Sequence, residues 1–181
     1  MIETERLLLR LPEPEDADAI YRHLSDPEVM RWIGIDGQTG TYDDAVERAG
    51  RWRRAWEIDG FGHFVVVRRD SGETVGRVGL LCWDPRTWRN GTRAEIGDDA
   101  ETELGWTLER AAWGHGFATE AAAAVRDWAL HEVRPGRLIS LIHPDNVRSL
   151  RVAEKIGEQY DRDIVMYHGA RAQLWSLPAR S

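Results

Sequence analysis

Residues 103–120, ELGWTLERAAWGHGFATE, constrain the fold more than any other stretch of this chain. Apolar side chains alternate at Leu104, Trp106 and Leu108, which predicts a half-buried strand over Glu101–Leu108. A short turn of small residues follows, and a long alanine-rich helix is expected from Gly116 to Val133. Gly114, Gly116 and Ala118 leave backbone amides uncovered where the helix begins. The macrodipole is positive there, so the turn suits a phosphate. Its spacing is neither GxxxxGK(S/T) nor GxGxxG, so neither the P-loop nor the dinucleotide fingerprint is implied. Taken alone, the same glycines also fit a tightly packed strand-to-helix turn with no ligand.

The other elements are consistent with a single mixed α/β domain over residues 1–181. Strands are expected at Glu5–Leu11, Phe61–Arg69, Thr74–Trp83 and Arg137–His143, with two more between Glu158 and Leu177. Helices are expected from Pro14 to Leu24, for one or two turns to Trp32, from Asp43 to Ile58 with Thr41 as N-cap, and over Ser149–Ile156. Residues 34–40 read as a glycine-rich mobile loop, and residues 84–97 as a polar loop. The order gives an antiparallel first half and one β–α–β crossover near the end. A length of 181 residues suits one domain and not two.

Composition narrows the function classes. A formal net charge of -7 argues against nucleic acid and suits a cationic partner. No apolar run approaches the roughly 20 residues that cross a bilayer, and the charged start lacks a signal-peptide core, so no membrane role and a cytoplasmic location are expected. The single cysteine, Cys82, lies in an apolar strand and reads as a buried, inert thiol. The six histidines show no ligand spacing, so no metal is expected. Nine tryptophans are many for this length; most should be core, with some lining a pocket.

Several motifs resemble, in order and spacing, the GNAT superfamily of acetyl-CoA-dependent N-acetyltransferases. They are Thr4-Glu5-Arg6-Leu7, Ser25-Asp26-Pro27-Glu28-Val29-Met30, Glu103-Leu104-Gly105-Trp106, Trp113-Gly114-His115-Gly116-Phe117-Ala118-Thr119-Glu120-Ala121, and His143-Pro144-Asp145-Asn146 with Ser149 and Glu154-Lys155-Ile156-Gly157. The branch most resembled is the Rim type, which acetylates ribosomal-protein N-termini. The resemblance implies a mostly antiparallel central sheet, splayed between its fourth and fifth strands, with helices on both faces. Acetyl-CoA would serve as the acetyl-donor cosubstrate. Its pantetheine arm would pair with Leu104, Trp106 and Leu108, and its pyrophosphate would rest on Trp113, Gly114, His115, Gly116, Phe117, Ala118 and Thr119. Asn146 would hold the coenzyme arm, Ser149 would lie near the sulfur, and Arg110, Arg148 and Arg151 are candidates for phosphate. Four positions depart from the family pattern: Trp113 stands where the general motif has Gln or Arg, although an aromatic is usual in this branch, and His115 replaces the common Arg, Lys or Gln. Ala153 stands where many members carry a tyrosine acid, and Glu158 stands where Phe is usual.

An amine must lose a proton before it attacks a thioester, and a positioned carboxylate can take it. Glu101 and Glu103 share a strand face opposite Leu104, Trp106 and Leu108. Glu103 is the preferred base, with Glu101 second and two solvated surface carboxylates as the plain alternative. The expected reaction is direct attack by a primary amine within a ternary complex. The acceptor is a cationic amine, either a protein N-terminus or a small polyamine or aminoglycoside. A non-catalytic acyl-CoA sensor is the reading from a different class, and a homodimer is left open.

Overall fold

The computed structural model describes residues 1–33 and 37–178. The loop expected over 34–40 therefore falls partly outside the described residues. The strands are β1 (Ile2–Glu3), β2 (Leu7–Arg10), β3 (His63–Arg68), β4 (Thr74–Trp83), β5 (Asn90–Gly91), β6 (Glu101–Leu108), β7 (Leu138–Ile142), β8 (Gln159–Val165) and β9 (Arg171–Ser176). The helices are α1 (Ala17–Leu24), α2 (Pro27–Met30), α3 (Tyr42–Asp59), α4 (Arg93–Ile96), α5 (Phe117–Trp128) and α6 (Val147–Lys155).

One sheet carries the fold, in the order β1-β2-β3-β4-β6-β7-β9-β8, with β5 beside β4. Every pairing is antiparallel except β6 with β7. That parallel contact is short: only Thr102 opposite Leu138 and Glu103 opposite Ile139 pair. Beyond these two residues β6 and β7 diverge, as the resemblance implies for the fourth and fifth principal strands.

Strand alternation divides the side chains between the two faces. On one face Leu7, Leu9, Phe64, Val78, Leu80 and Leu104 meet Ala121, Ala122 and Val125 of α5, with Ile156 completing the layer. Complete burial of one such leucine contributes roughly 2 kcal/mol. On the other face α1, α2 and α3 form their own cluster from Ile20, Leu24, Met30, Ala45, Ala49 and Trp52. The predicted α3 is accurate to a residue at each end. Thr41 caps it, with Asp44 answering in a capping box, and Gly60 ends it at a φ of 73°.

Three expectations need correction. The helix expected over Gly116–Val133 begins at Phe117, because Gly116 takes a left-handed φ of 82° as N-cap. It ends in a π turn over Ala129–Val133, where Arg134, ahead of Pro135, turns to a φ of 51°. The polar stretch 84–97 contains β5 and the capped turn α4. Glycines matter most in β4: a Cβ on Gly79 would collide with the Gly62 carbonyl just ahead of β3. Among the described residues, no helix is long and apolar enough to cross a membrane.

Candidate active site

The end of the β6–β7 pairing is where chemistry-bearing side chains gather. The antiparallel register sets Gly79 of β4 opposite Gly105 of β6. Gly79 is closed over by the Gly62–His63 backbone, whereas Gly105 leaves a bare floor on the face that carries Glu103. Arg77 and Glu103 flank that floor: a Cβ on Gly105 would lie 3.5 Å from an Arg77 guanidinium nitrogen and 3.6 Å from Glu103 Oε1. Trp83 stands opposite Glu101 in the register, so its indole reaches Glu103 diagonally and donates to Oε2 at 2.5 Å. The Arg77 guanidinium contacts His63 Nε2 at 3.2 Å, and His63 packs edge-on against Trp52 of α3.

The charges in this group are strongly conditioned. Burial raises the Glu103 carboxyl above its ordinary pKa, while the Trp83 indole, the Arg77 charge and the Leu141 amide pull it down. Burial also lowers Arg77 to about 10, with Arg48 adding repulsion. His63 is held well below its usual value by burial first, then by Arg77, Arg48 and Arg51. His63 is therefore neutral, and its buried Nδ1 has no hydrogen-bond partner among the described residues. Glu103 is half-buried, neither solvated on the surface nor locked in an ion pair. Glu101, the second candidate base, differs: Arg137 approaches it at 3.4 Å and also binds Asp161 at 2.7 Å.

On the opposite edge of β6 the backbone is open. Leu104, Trp106 and Leu108 turn their backbone groups away from β4 and toward the gap. Ser140 Oγ occupies the Leu104 carbonyl at 2.8 Å, and the Trp113 indole occupies the Leu108 carbonyl at 2.8 Å. The Trp106 amide and carbonyl, beyond the reach of the β7 pairing, face the gap. The side chains of Leu104 and Leu108 are buried in the core, so only their main chain borders the cleft.

The turn into α5 has two left-handed glycines, Gly114 at a φ of 80° and Gly116 at 82°. Gly116 has no side chain with which to cap the helix, so the amides of Phe117, Ala118 and Thr119 lack an acceptor among the described residues. Gly114, His115 and Gly116 are exposed, as an anion site requires. Trp113 acts as the anchor of this turn through its indole bond, and Arg148 lies 4.4 Å above its ring. Arg6, which the sequence did not single out for this role, bonds the His115 carbonyl at 2.9 Å and pairs with Glu120 at 2.6 Å. It fixes the turn from the side of β2.

The remaining candidates are placed as follows. Asn146 accepts the Ser149 amide at 3.2 Å, so its side-chain oxygen caps α6. Ser149 is half-buried, and its hydroxyl makes no hydrogen bond among the described residues. Arg110 is engaged by Asp26 at 3.3 Å, while Arg151 is exposed on α6. Cys82 is buried, and that burial raises its thiol to about 11, as expected of an inert cysteine. Sequence reasoning missed Arg77, His63, Trp83, Ser140 and Glu158 as site residues. A legible signal existed for Arg77, a charge on the face of an apolar strand that pairs with Glu103.

Residues 6–159 match the family described as Acetyltransferase (GNAT) domain. The uncharacterized protein YkkB of Bacillus subtilis (strain 168) is 33% identical, over 89% of this chain and 86% of its own length. The uncharacterized N-acetyltransferase p20 of Bacillus licheniformis is 29% identical, covering 94% and 89%. A GNAT-family acetyltransferase structure from Bacillus anthracis superposes with a TM-score of 0.79 at 24% identity, over 97% of this chain and 96% of the other. The same fold recurs in AAC(6')-Ib bound to acetyl-CoA and an aminoglycoside (TM-score 0.74, 18% identity, 96% and 93% covered). It also recurs in RimL, a ribosomal L7/L12 α-N-protein acetyltransferase, bound to coenzyme A (TM-score 0.75, 11% identity, 96% and 94% covered).

Proposed function

Because this chain belongs to the GNAT acetyltransferases and so uses acetyl-CoA, we infer that it acetylates a primary amine with Glu103 as the base. The observation that carries this reading is Glu103 itself. It is a half-buried carboxylate at the point where β6 leaves β7, beside the bare backbone of Gly105 and oriented by Trp83. The residues present fit the donor. The uncapped first turn of α5 suits a pyrophosphate, and the free main-chain groups of Trp106 suit the amides of a pantetheine arm. Held there, acetyl-CoA supplies an activated acetyl carbon, and every proton movement falls to the protein.

Glu103 takes the amine proton, directly or through one water, as the nitrogen attacks. Ser149, on α6, is assigned to the neighbourhood of the sulfur, where its free hydroxyl would steady the leaving group. Exposed Arg151 and Arg148 are assigned to the coenzyme's phosphates. The acceptor we propose is a cationic α-amine at a protein N-terminus, in keeping with a Rim-type relationship and the net charge of -7. A small polyamine or aminoglycoside is the second reading, favoured by exposed Asp98 and Asp99 at the entry to β6.

Thiol release from acetyl-CoA, measured with N-terminal peptides, polyamines and aminoglycosides, distinguishes these acceptors. Glu103→Gln should lower kcat with the best acceptor by about 10²-fold at neutral pH and recover part of that loss at high pH. Glu101→Gln should do less. Unchanged activity of Glu103→Gln across the pH range would exclude it as the base, and tight coenzyme binding without turnover on any amine would identify a sensor.

A further inference from the structure

Glu158 is a carboxyl group with no assigned task. It is 3% exposed, in the first position after the turn that ends α6. Its amide donates to the Ala153 carbonyl at 3.0 Å, which places it against α6 one helical turn beyond Ser149. Its Oε1 lies 3.0 Å from Ser140 Oγ, and its Oε2 is buried with no hydrogen-bond partner among the described residues. Ser140 is fully buried on β7 and also lies 2.8 Å from the carbonyl of Leu104. Leu104 is the first residue of β6 past the last pair with β7. The chain Glu158–Ser140–Leu104 therefore closes the apex of the splay, on the face that carries α5 and α6.

A count of hydrogens fixes the state of this chain. A serine hydroxyl has one hydrogen, and a backbone carbonyl can only accept. Both short contacts of Ser140 are satisfied together only if Ser140 donates to Leu104 and Glu158 carries a proton that it donates to Ser140. The electrostatic surroundings agree. Burial, helped by nearby Glu103, raises Glu158 to about 8 against the opposing effects of Ser140 and Arg126. Glu103, by contrast, has an indole donor and an arginine charge that favour its anionic form. Burial raises both carboxyls, and the indole donor and arginine charge on Glu103 mark it as the one whose anion is favoured, which suits a division into acid and base.

We propose that Glu158 is the general acid of the transfer, delivering a proton through Ser140 to the departing thiolate at the apex of the splay. This rests on the acetyl-transfer reading above and adds the residue that completes it. The C–N bond forms as the C–S bond breaks. The amine proton passes to Glu103, the Ser140 hydroxyl proton passes to sulfur, and the Glu158 proton replaces it on Ser140. Glu103 then loses its proton to solvent and Glu158 regains one. The net products are the acetylated amine and the free thiol.

Glu158→Gln keeps the shape and removes the acid. With acetyl-CoA it should lower kcat by about 10²-fold, leave the coenzyme's Kd unchanged and abolish the fall in rate above about pH 8. An acetyl thioester of a strongly acidic aromatic thiol needs no proton on leaving, so with it the variant should approach the parent rate. Ser140→Ala should show the same thioester dependence. In infrared difference spectra of the resting protein at neutral pH, the parent should show a carboxylic-acid carbonyl band that Glu158→Gln lacks. Parental turnover in Glu158→Gln, an equal loss with both thioesters, or absence of that band would each make Glu158 a packing group and overturn the assignment. A parent protein that acetylates no amine would instead sink the acetyl-transfer reading, and this assignment with it.

Discussion

Arg77 illustrates how one half-buried charge sets the working range of another group. It makes no ion pair within 4 Å among the described residues, yet its charge lowers the Glu103 pKa across the glycine floor. Arg77→Gln should therefore raise the pKa of Glu103 and, if Glu103 is the base as proposed, move the acid limb of the kcat/KM profile to higher pH. Arg77→Lys keeps the charge and should restore most of the original profile. An unmoved acid limb in Arg77→Gln would mean that the carboxylate titrating in the profile is not Glu103. Such residues are hard to find in a sequence. Arg77 and Glu103 are 26 positions apart and meet only because β4 pairs with β6. Glu158 looked like a departure from a motif, and nothing near it in the sequence announces Ser140, since their contact depends on where α6 delivers the chain.

At the scale of elements, the strand–turn–helix unit of β6 and α5 was the most legible part of the molecule. Its periodicity and its glycines are local properties. The fit of Gly116 is equally local: the residue combines a φ of 82° with an exposed, uncapped helix start. Gly116→Val should strain that conformation and cover the amides, so acetyl-CoA should raise the Tm of the variant less than that of the parent. A ligand at 100 times its Kd stabilises a folded protein by about 2.7 kcal/mol, a shift large enough to see in a melting experiment. An equal shift in the two proteins would reduce the turn to a packing device. The ends of α5 were less legible, because a left-handed N-cap and a terminal π turn leave no periodic trace. The short β5 and α4 were hidden in a polar stretch whose pairing partner, the end of β4, lies outside it.

For the molecule as a whole, the sheet and its two layers followed from alternation, whereas the buried polar groups between the layers did not. Burial beneath α1 holds His23 neutral, with its pKa lowered to about 3. An unfolded imidazole titrates near 6.5, so protons favour the unfolded chain. This stabilisation is complete above about pH 6.5 and is lost as pH falls toward 3, at about 1.4 kcal/mol per pH unit for each such histidine. His63 acts in the same direction. The urea midpoint should therefore drop between pH 7 and pH 4.5, and His23→Gln should flatten that drop. Equal slopes in the two proteins would assign the acid lability to other groups. The tie from Arg6 to His115 and Glu120 has a practical consequence for anyone who purifies this protein. Bulk fused ahead of residue 1 would lie only a few residues from Arg6, the side chain that steadies the turn into α5. Disturbance of that tie would register as weakened affinity for the coenzyme that the turn is proposed to hold.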